Sequence, residues 1–194
     1  MSTDRIKNLK TELLSDNWYT LNKLTFDYLQ NNGQWRSIVR ECYDRGDGAV
    51  ILLYNKAKQT VVLTKQLRIP TYVNGNADGF LIEACAGLLD DDNPVDCIKK
   101  EVEEETGYRI VNVEKVMEAY SSPGSVTEIL HYFIGEYSDQ MKVNEGGGAA
   151  NETEDIEVLE LAFNTAVNSI KTGAIKDIKT ICLLQYAQIN NIMQ

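Results

Sequence analysis

Histidine is nearly missing from this chain: His131 stands alone among 194 residues. The four cysteines, Cys42, Cys85, Cys97 and Cys182, are scattered, with no Cys-x-x-Cys pair. Structural zinc sites and disulfide frameworks both need clustered ligands or dense, regular cysteines, so neither organises this protein. Reduced thiols in a cytoplasmic compartment, mostly buried, are the expectation. No apolar run is long enough to span a bilayer, and no basic-then-apolar leader opens the chain, so no membrane partner is expected. Positive charge is scarce too: 19 Lys and Arg face 29 Asp and Glu, for a net −10 at pH 7. Nucleic-acid binding rests on basic surface and counterion release, so no nucleic-acid partner is expected. A small phosphate ligand is still allowed, provided cations bridge it to the acidic protein.

The length suits one domain of ordinary size plus an appendage. In residues 1–45, Asp4 to Leu14 is predicted as a short helix or arm. Trp18 to Leu29 alternates apolar and polar, Asn31-Asn32-Gly33 signals a turn, and Trp35 to Tyr43 resumes as a strand. This hairpin is marginal alone and must pack on its own core or on a second subunit. From residue 46 onward the pattern is mixed α/β. Ala49–Tyr54 and Thr60–Gln66 form a second hairpin. Strands follow at Phe80–Ala84, Ile110–Ala119, Ile129–Tyr137 and Ile156–Leu161, with Val143–Thr153 a loop. Helices are predicted from Asn164 to Thr172 and from Ile178 to Asn191, the latter placing Ile178, Ile181, Cys182, Leu184 and Ile189 on one side. Strands interrupted by helices suit a layered α/β/α domain with a mixed sheet.

The chemistry concentrates between Gly87 and Tyr108. Asp92 or Asn93 can cap a helix there, Pro94 suits its first position, and Gly107 ends it. Val95, Ile98 and Val102 give its buried stripe. Four glutamates fall in five positions; at about 100° per residue Glu101, Glu104 and Glu105 converge while Glu103 points elsewhere. Alone, such a helix is an acidic, solvated surface. Hard divalent cations, which prefer carboxylate oxygens, would offset the repulsion of like charges so close together.

Lys100-Glu101-Val102-Glu103-Glu104-Glu105-Thr106-Gly107-Tyr108 resembles the second half of the Nudix hydrolase signature, with Lys where Arg is usual. Two departures stand out: the segment from Gly87 to Lys100 is one residue short, and the family's first glutamate falls around Asp92–Asn93, where no Glu is present. Pairing of Asp92 with Lys100 is a compensating possibility. Three further motifs resemble the nucleoside-diphosphate-sugar branch. They are Gln66-Leu67-Arg68, then Tyr120-Ser121-Ser122-Pro123-Gly124 with Glu128 beyond it, and the loop Gly146-Gly147-Gly148 leading to Glu152 and Glu154. Pro123 lies sixteen positions after Gly107. Read without the signature, these are an Arg paired with Glu83, a plain turn and a solvated linker; a glycine-rich loop is also free to move over a site.

The likeness to the branch that hydrolyses GDP-mannose covers nearly the whole chain, including Ser15-Asp16-Asn17, Tyr43-Asp44-Arg45-Gly46, Asn74-Gly75-Asn76, Asp155 to Glu160 and Ile170 to Gly173. The loop near Ala149 to Glu152 is slightly longer here. The resemblance implies a Nudix α/β/α sandwich with an N-terminal antiparallel β hairpin element, residues 1–45, that acts as a dimerisation arm, and a hydrolase domain at 46–194. It implies Mg2+, with Mn2+ an alternative, held by the Ala86 carbonyl, Glu101, Glu105 and Glu154. Glu152 would be the base, with Glu104 and Arg68 assisting. Substrate contacts would come from Trp18, Val39, Arg40, Glu41, Arg68, Gly87, Leu88, Glu128, Thr153 and Lys179, the N-terminal ones reaching across a domain-swapped homodimer. Trp18 could equally pack in a core, Lys179 could be a plain surface lysine, and Glu83 is placed beside the metal site. The implied reaction is hydrolysis of a nucleotide sugar: GDP-mannose first, ADP-ribose second, with a non-catalytic ligand-sensing module as the alternative outside enzymes.

Overall fold

A computed structural model describes residues 4–149 and 154–193. The chain divides into two compact units, Met1–Asp47 with Tyr120–Ile129, and Gly48–Ala119 with Leu130–Gln194.

The first unit is built on three antiparallel strands: β1 (Ile6–Asp16), β2 (Thr20–Leu29) and β3 (Trp35–Asp44), in the order β1-β2-β3. The predicted β2–β3 hairpin is present, running from Thr20 opposite Asp44 to Leu29 opposite Trp35 around the Asn31–Gly33 turn. The segment expected as a helix or arm is instead strand β1, paired with β2 from Ile6 opposite Tyr28 to Asp16 opposite Thr20. Almost all of β1 is exposed, so it carries no burial alternation for a sequence pattern to report. The Tyr120–Gly124 motif belongs to this unit. It turns through Val126 N–H donating to Ser122 O (3.0 Å), and Tyr43 N–H donates to Ser125 O (2.8 Å).

The second unit centres on a seven-stranded mixed sheet. Its path is β10 (Glu157–Ala162), β5 (Thr60–Leu67), β4 (Gly48–Asn55), β9 (Ile129–Glu136) and β8 (Glu114–Tyr120), with β4 and β9 parallel. β4 and β5 pair only at their turn end, Leu53–Asn55 against Val62–Thr60. Beyond that they part. Strand β6 (Phe80–Glu83) takes up the free edge of β5, and β7 (Cys85–Leu88) that of β4. Gly87 and Leu88, at the start of the acidic segment, therefore lie in a strand.

Alternate side chains of β4 feed two cores. Val50 and Leu52 pack with α3 (Phe163–Thr172) and α4 (Ile178–Ile189) through Phe163, Ala166, Leu183 and Leu184. Ala49, Ile51 and Leu53 pack with Ile98 of α2 (Pro94–Glu101) and with Val102. Helices on both faces make the expected α/β/α layering, and each fully buried aliphatic side chain contributes about 1.5–3 kcal/mol. In α4 the buried residues are Thr180, Leu183, Leu184 and Ala187, whereas Ile178 and Ile189 are exposed. Of the expected apolar stripe, Leu184 is buried and Ile181 and Cys182 are partly buried against the same core, while the buried face also takes in a polar residue, Thr180. A short helix, α1 (Ile69–Val73), went unpredicted.

Asp177 caps α4, accepting from Thr180 N–H, and Thr180 Oγ1 accepts the Ala84 N–H at 2.6 Å, at the junction of β6 and β7. That hydroxyl ties the last helix to the strand pair filling the gap. Replacing Thr180 with Val keeps the shape but orphans a buried N–H, and should lower stability by about 1–3 kcal/mol in urea unfolding.

Candidate active site

Asn93 resolves the start of the acidic helix. Its side chain accepts from the N–H groups of Val95 and Asp96 (3.1 Å each), so the residue standing near the family's first glutamate is the N-cap, ahead of Pro94. Lys100 stands 3.9 Å from Glu104, one turn on. From Val102 to Thr106 the α-helix widens into a π turn, a distortion frequent at functional sites. The 100° rule thus stops applying just where the glutamates lie. Glu101 and Glu105 turn toward β7, Glu104 sits nearer Lys100, and Glu103 pairs with Arg109 through two bonds of 2.8 and 2.6 Å. Gly107, in the left-handed region at φ 79°, closes the turn and lies so close to the Asn144 carbonyl that no Cβ fits.

Glu105 is 2% exposed. The Ala86 N–H donates to its Oε2 at 3.3 Å, and the Cys85 thiol lies beside it. Burial drives its pKa from the usual 4.5 to about 8; the Cys85 hydrogen bond opposes this, the Glu101 and Glu154 carboxylates add to it, and Arg68 opposes it. Glu105, Glu101, Glu154 and Arg68 therefore share one electrostatic neighbourhood. Glu101 lies directly over Gly87, where any Cβ would collide with its carboxyl.

The glycine loop is fastened to the same turn. Gly147 N–H donates to Glu105 O (2.9 Å) and Gly148 N–H to Glu104 O (3.0 Å), with φ positive at Gly146, Gly147 and Gly148. Glu154 accepts the Ala149 N–H at 3.0 Å and packs where a Cβ of Gly148 would be. The described part of the loop is docked rather than a free linker. Glu152 and Thr153 lie outside the described residues.

Among the described residues no three His, Cys, Asp or Glu side chains are gathered tightly enough to hold an ion as they stand. The donor chemistry nonetheless fits a hard divalent cation. All the donors are oxygens, the set is net negative, and a buried carboxylate carries an ionisation penalty that a cation would remove.

Arg68, whose charge reaches Glu105, belongs to a basic pair. Arg68 precedes α1 and donates through Nε to Glu83 Oε2 at 2.6 Å; Lys179 donates to Glu83 Oε1 at 3.2 Å and to Asp177 Oδ1 at 2.6 Å. The Arg68–Glu83 pair weighed in the sequence is thus formed. Lys179 is largely buried rather than a surface residue. Burial pulls its pKa down, but Glu83 and Asp177 outweigh that and leave it above the ordinary lysine value. Thr180, Asp177 and the thiol of Cys85 escaped the sequence reading; Asp177, an aspartate directly before an apolar helix, carried a legible N-cap signal.

In the first unit Trp18 is 81% exposed and stacks on Tyr19, so it is no core residue. Val39 and Glu41 are exposed, and Arg40 donates to the Val39 carbonyl at 2.7 Å. Glu128 pairs with Arg45 at 3.4 Å, and the Arg45 guanidinium lies 5.5 Å from the Tyr19 ring centroid.

Two family models match consecutive parts of the chain. One is described as the GDP-mannose pyrophosphatase NudK N-terminal domain, over residues 5–43, and the other as the NUDIX domain, over residues 44–181. Curated proteins named GDP-mannose pyrophosphatase are similar along nearly the full length. That of Yersinia enterocolitica is 54% identical over 190 residues, 98% of both chains. That of Pectobacterium atrosepticum is 58% identical over 181 residues, 93% of both. That of Escherichia coli K12 is 54% identical over 191 residues, 98% of this chain and 99% of the relative.

The Glu105 carboxyl sets a pH signature. Its folded pKa is raised, so folding favours the protonated form. That contribution is whole below the unfolded value of 4.5 and is lost as pH rises toward about 8. In chelator, unfolding free energy should fall across that window by on the order of a few kcal/mol. Glu105→Gln should flatten the slope in urea titrations run at stepped pH.

Proposed function

Because the chain belongs to the Nudix family, we propose that it is a pyrophosphatase hydrolysing GDP-mannose to GMP and mannose 1-phosphate. The observation that carries this reading is the buried Glu105 carboxylate, with Glu101 and Glu154 close enough to raise its pKa, facing a site that also holds Arg68. The names of relatives at 54–58% identity support GDP-mannose as the substrate. An acidic protein binding a diphosphate needs cations between the two, and this carboxylate set fits that need.

Mg2+ would be held by Glu101, Glu105, Glu154 and the Ala86 carbonyl, with Glu104 adjacent. When bound, it supplies charge neutralisation of the diphosphate and acidifies the attacking water. Glu152 takes the proton from that water as its oxygen bonds to one phosphorus and the bridging P–O bond breaks. Arg68 binds the diphosphate through its Nη groups, since Nε is engaged by Glu83. Lys179 adds a second positive charge. Gly87 and Leu88 on β7 and Thr153 on the acidic loop contact the substrate near the anhydride.

The first unit serves as a dimerisation arm. Its sheet leaves Ile6, Leu9, Leu13 and Val39 more than half exposed, an apolar surface suited to a second copy of the chain. Trp18, with its open indole face, and Val39, Arg40, Glu41 and Glu128 contact nucleotide or sugar in a domain-swapped homodimer. Among the described residues no helix is long and apolar enough to cross a membrane. The widely spaced free thiols favour a cytoplasmic home.

Incubation with GDP-mannose, GDP-glucose and ADP-ribose, with chromatography of the products, should show GDP-mannose cleaved fastest and only with divalent cation. Preference for ADP-ribose, or no turnover of any, would overturn the substrate assignment. Glu101→Gln and Glu105→Gln should each lower kcat by roughly 10²–10³-fold with an unchanged circular dichroism spectrum.

A further inference from the structure

Glu83 ends β6 and is 3% exposed. Each of its carboxylate oxygens is committed to a different cation: Oε2 to Arg68 Nε at 2.6 Å and Oε1 to Lys179 Nζ at 3.2 Å. One partner comes from 15 residues before it and the other from 96 residues after it, so the carboxylate joins two distant parts of the second unit. Its backbone is fastened on both sides. Thr64 Oγ1 donates to the Glu83 carbonyl at 3.3 Å, and the next N–H, that of Ala84, is held by Thr180. Asp177 completes the group by taking Lys179 at 2.6 Å, while its other oxygen accepts from the Thr180 hydroxyl at 2.7 Å.

Stability alone is a poor reason for this arrangement. A buried ion cluster can usually be exchanged for apolar side chains of similar volume at little cost, whereas removing one partner leaves an uncompensated charge. Placing a negative charge beside two cations also weakens their pull on an anion, so simple attraction is not the reason either. Geometry is what Glu83 supplies. Arg and Lys are long and rotamer-rich, and unrestrained they would lose that freedom only when substrate bound. The hydrogen bond to Glu83 engages Nε, which leaves the Nη groups of Arg68 for a ligand, with the side chain 40% exposed. Lys179 is held at 19% exposure on the other oxygen of the same carboxylate.

We infer that Glu83 is a positioning residue, a fixed buried carboxylate that sets the direction and separation of Arg68 and Lys179 so that both meet the substrate's diphosphate preorganised. This rests on the reading that those two cations bind the diphosphate. Glu83 itself touches no substrate. The raised pKa of Lys179 agrees with this, because Glu83 is first among the charges that keep it protonated despite burial.

The test is steady-state kinetics of Glu83→Gln and Glu83→Asp on GDP-mannose, beside lysine 15Nζ NMR of the ligand-free proteins. Glu83→Gln should raise KM about tenfold or more while kcat stays within about threefold, since uniform binding is lost and the reacting groups are kept. Glu83→Asp keeps the charge but not the reach, and should fall between wild type and Gln. If the Gln variant does not fold, a raised KM in the Asp variant supports the inference and an unchanged one overturns it. The Lys179 titration should move to lower pH in Glu83→Gln, as a buried ammonium that has lost one of two anions. A KM equal to wild type, or a loss confined to kcat together with lower thermal stability, would reduce Glu83 to a structural residue. Should wild type fail to cleave GDP-mannose, the substrate reading falls on its own. The NMR titration then decides the matter, and an unmoved Lys179 overturns the inference.

Discussion

The parting of β4 and β5 is the constraint from which the site follows. Two strands that pair only over Leu53–Asn55 and Val62–Thr60 leave two open edges in the middle of a buried sheet, and open backbone groups there are costly. β6 and β7 satisfy those edges, one on each. A chain that crosses from β5's edge to β4's within a single residue, Ala84, must present Glu83 and Cys85 side by side at the crossing. The Ala84 N–H belongs to neither ladder, and the Thr180 hydroxyl takes it. The sheet, the last helix and the polar centre of the unit are fixed by one gap and the few groups that fill it.

Two buried carboxylates flank that crossing and are treated in opposite ways. Glu83 has a cation on each oxygen, so its charge is satisfied within the protein. Glu105 has a backbone N–H, a thiol and two neighbouring carboxylates, so its charge is left wanting. Both are expensive to bury, but only the second is made cheaper by a ligand arriving from solution. That asymmetry separates a group that shapes the site from a group that binds within it. It also explains why the Glu105 side of the crossing is suited to a cation while Glu83 already holds two.

The sequence made legible what depends on local rules. Pro94 behind a capping residue, Gly107 at a left-handed stop and the Asn31–Gly33 turn between β2 and β3 all answer to chemistry within a few residues, and they stand where expected. Glu101, Glu104 and Glu105 are marked by composition and by family likeness, and Glu101 and Glu105 do turn the same way with Glu103 elsewhere, but the direction of Glu104 was not legible. A π turn changes the angle per residue, and no pattern of side-chain types announces it. β1 failed for a different reason: nearly all its side chains are exposed, so it shows no period of either kind. The face of α4 was legible only in part because Thr180, a polar residue, is buried along with Leu183, Leu184 and Ala187, its hydroxyl accepting the Ala84 N–H from far away in the chain. The pairing of Arg68 with Lys179 through Glu83 spans 111 positions from first to last and belongs only to the fold.

What shapes the acidic side of the site most closely is missing atoms. Glu101 rests over Gly87, Glu154 packs against Gly148, and Gly146 lies against the Glu105 backbone; in each place a Cβ would collide. A carboxylate seated on bare backbone can approach a neighbouring carbonyl, such as that of Ala86, more closely than one kept off by side chains. Such seating is rigid, because the glycine is itself bonded: Gly147 and Gly148 donate to the carbonyls of Glu105 and Glu104. Glycine here therefore acts less as a hinge than as clearance. The loop glycines give up their conformational freedom to lie on the π turn, and the turn gains acceptors' partners that its widened geometry does not supply internally. Close approach and positive φ fall on the same residues at Gly146 and Gly148, which is why glycine stands at those two places beside the glutamates.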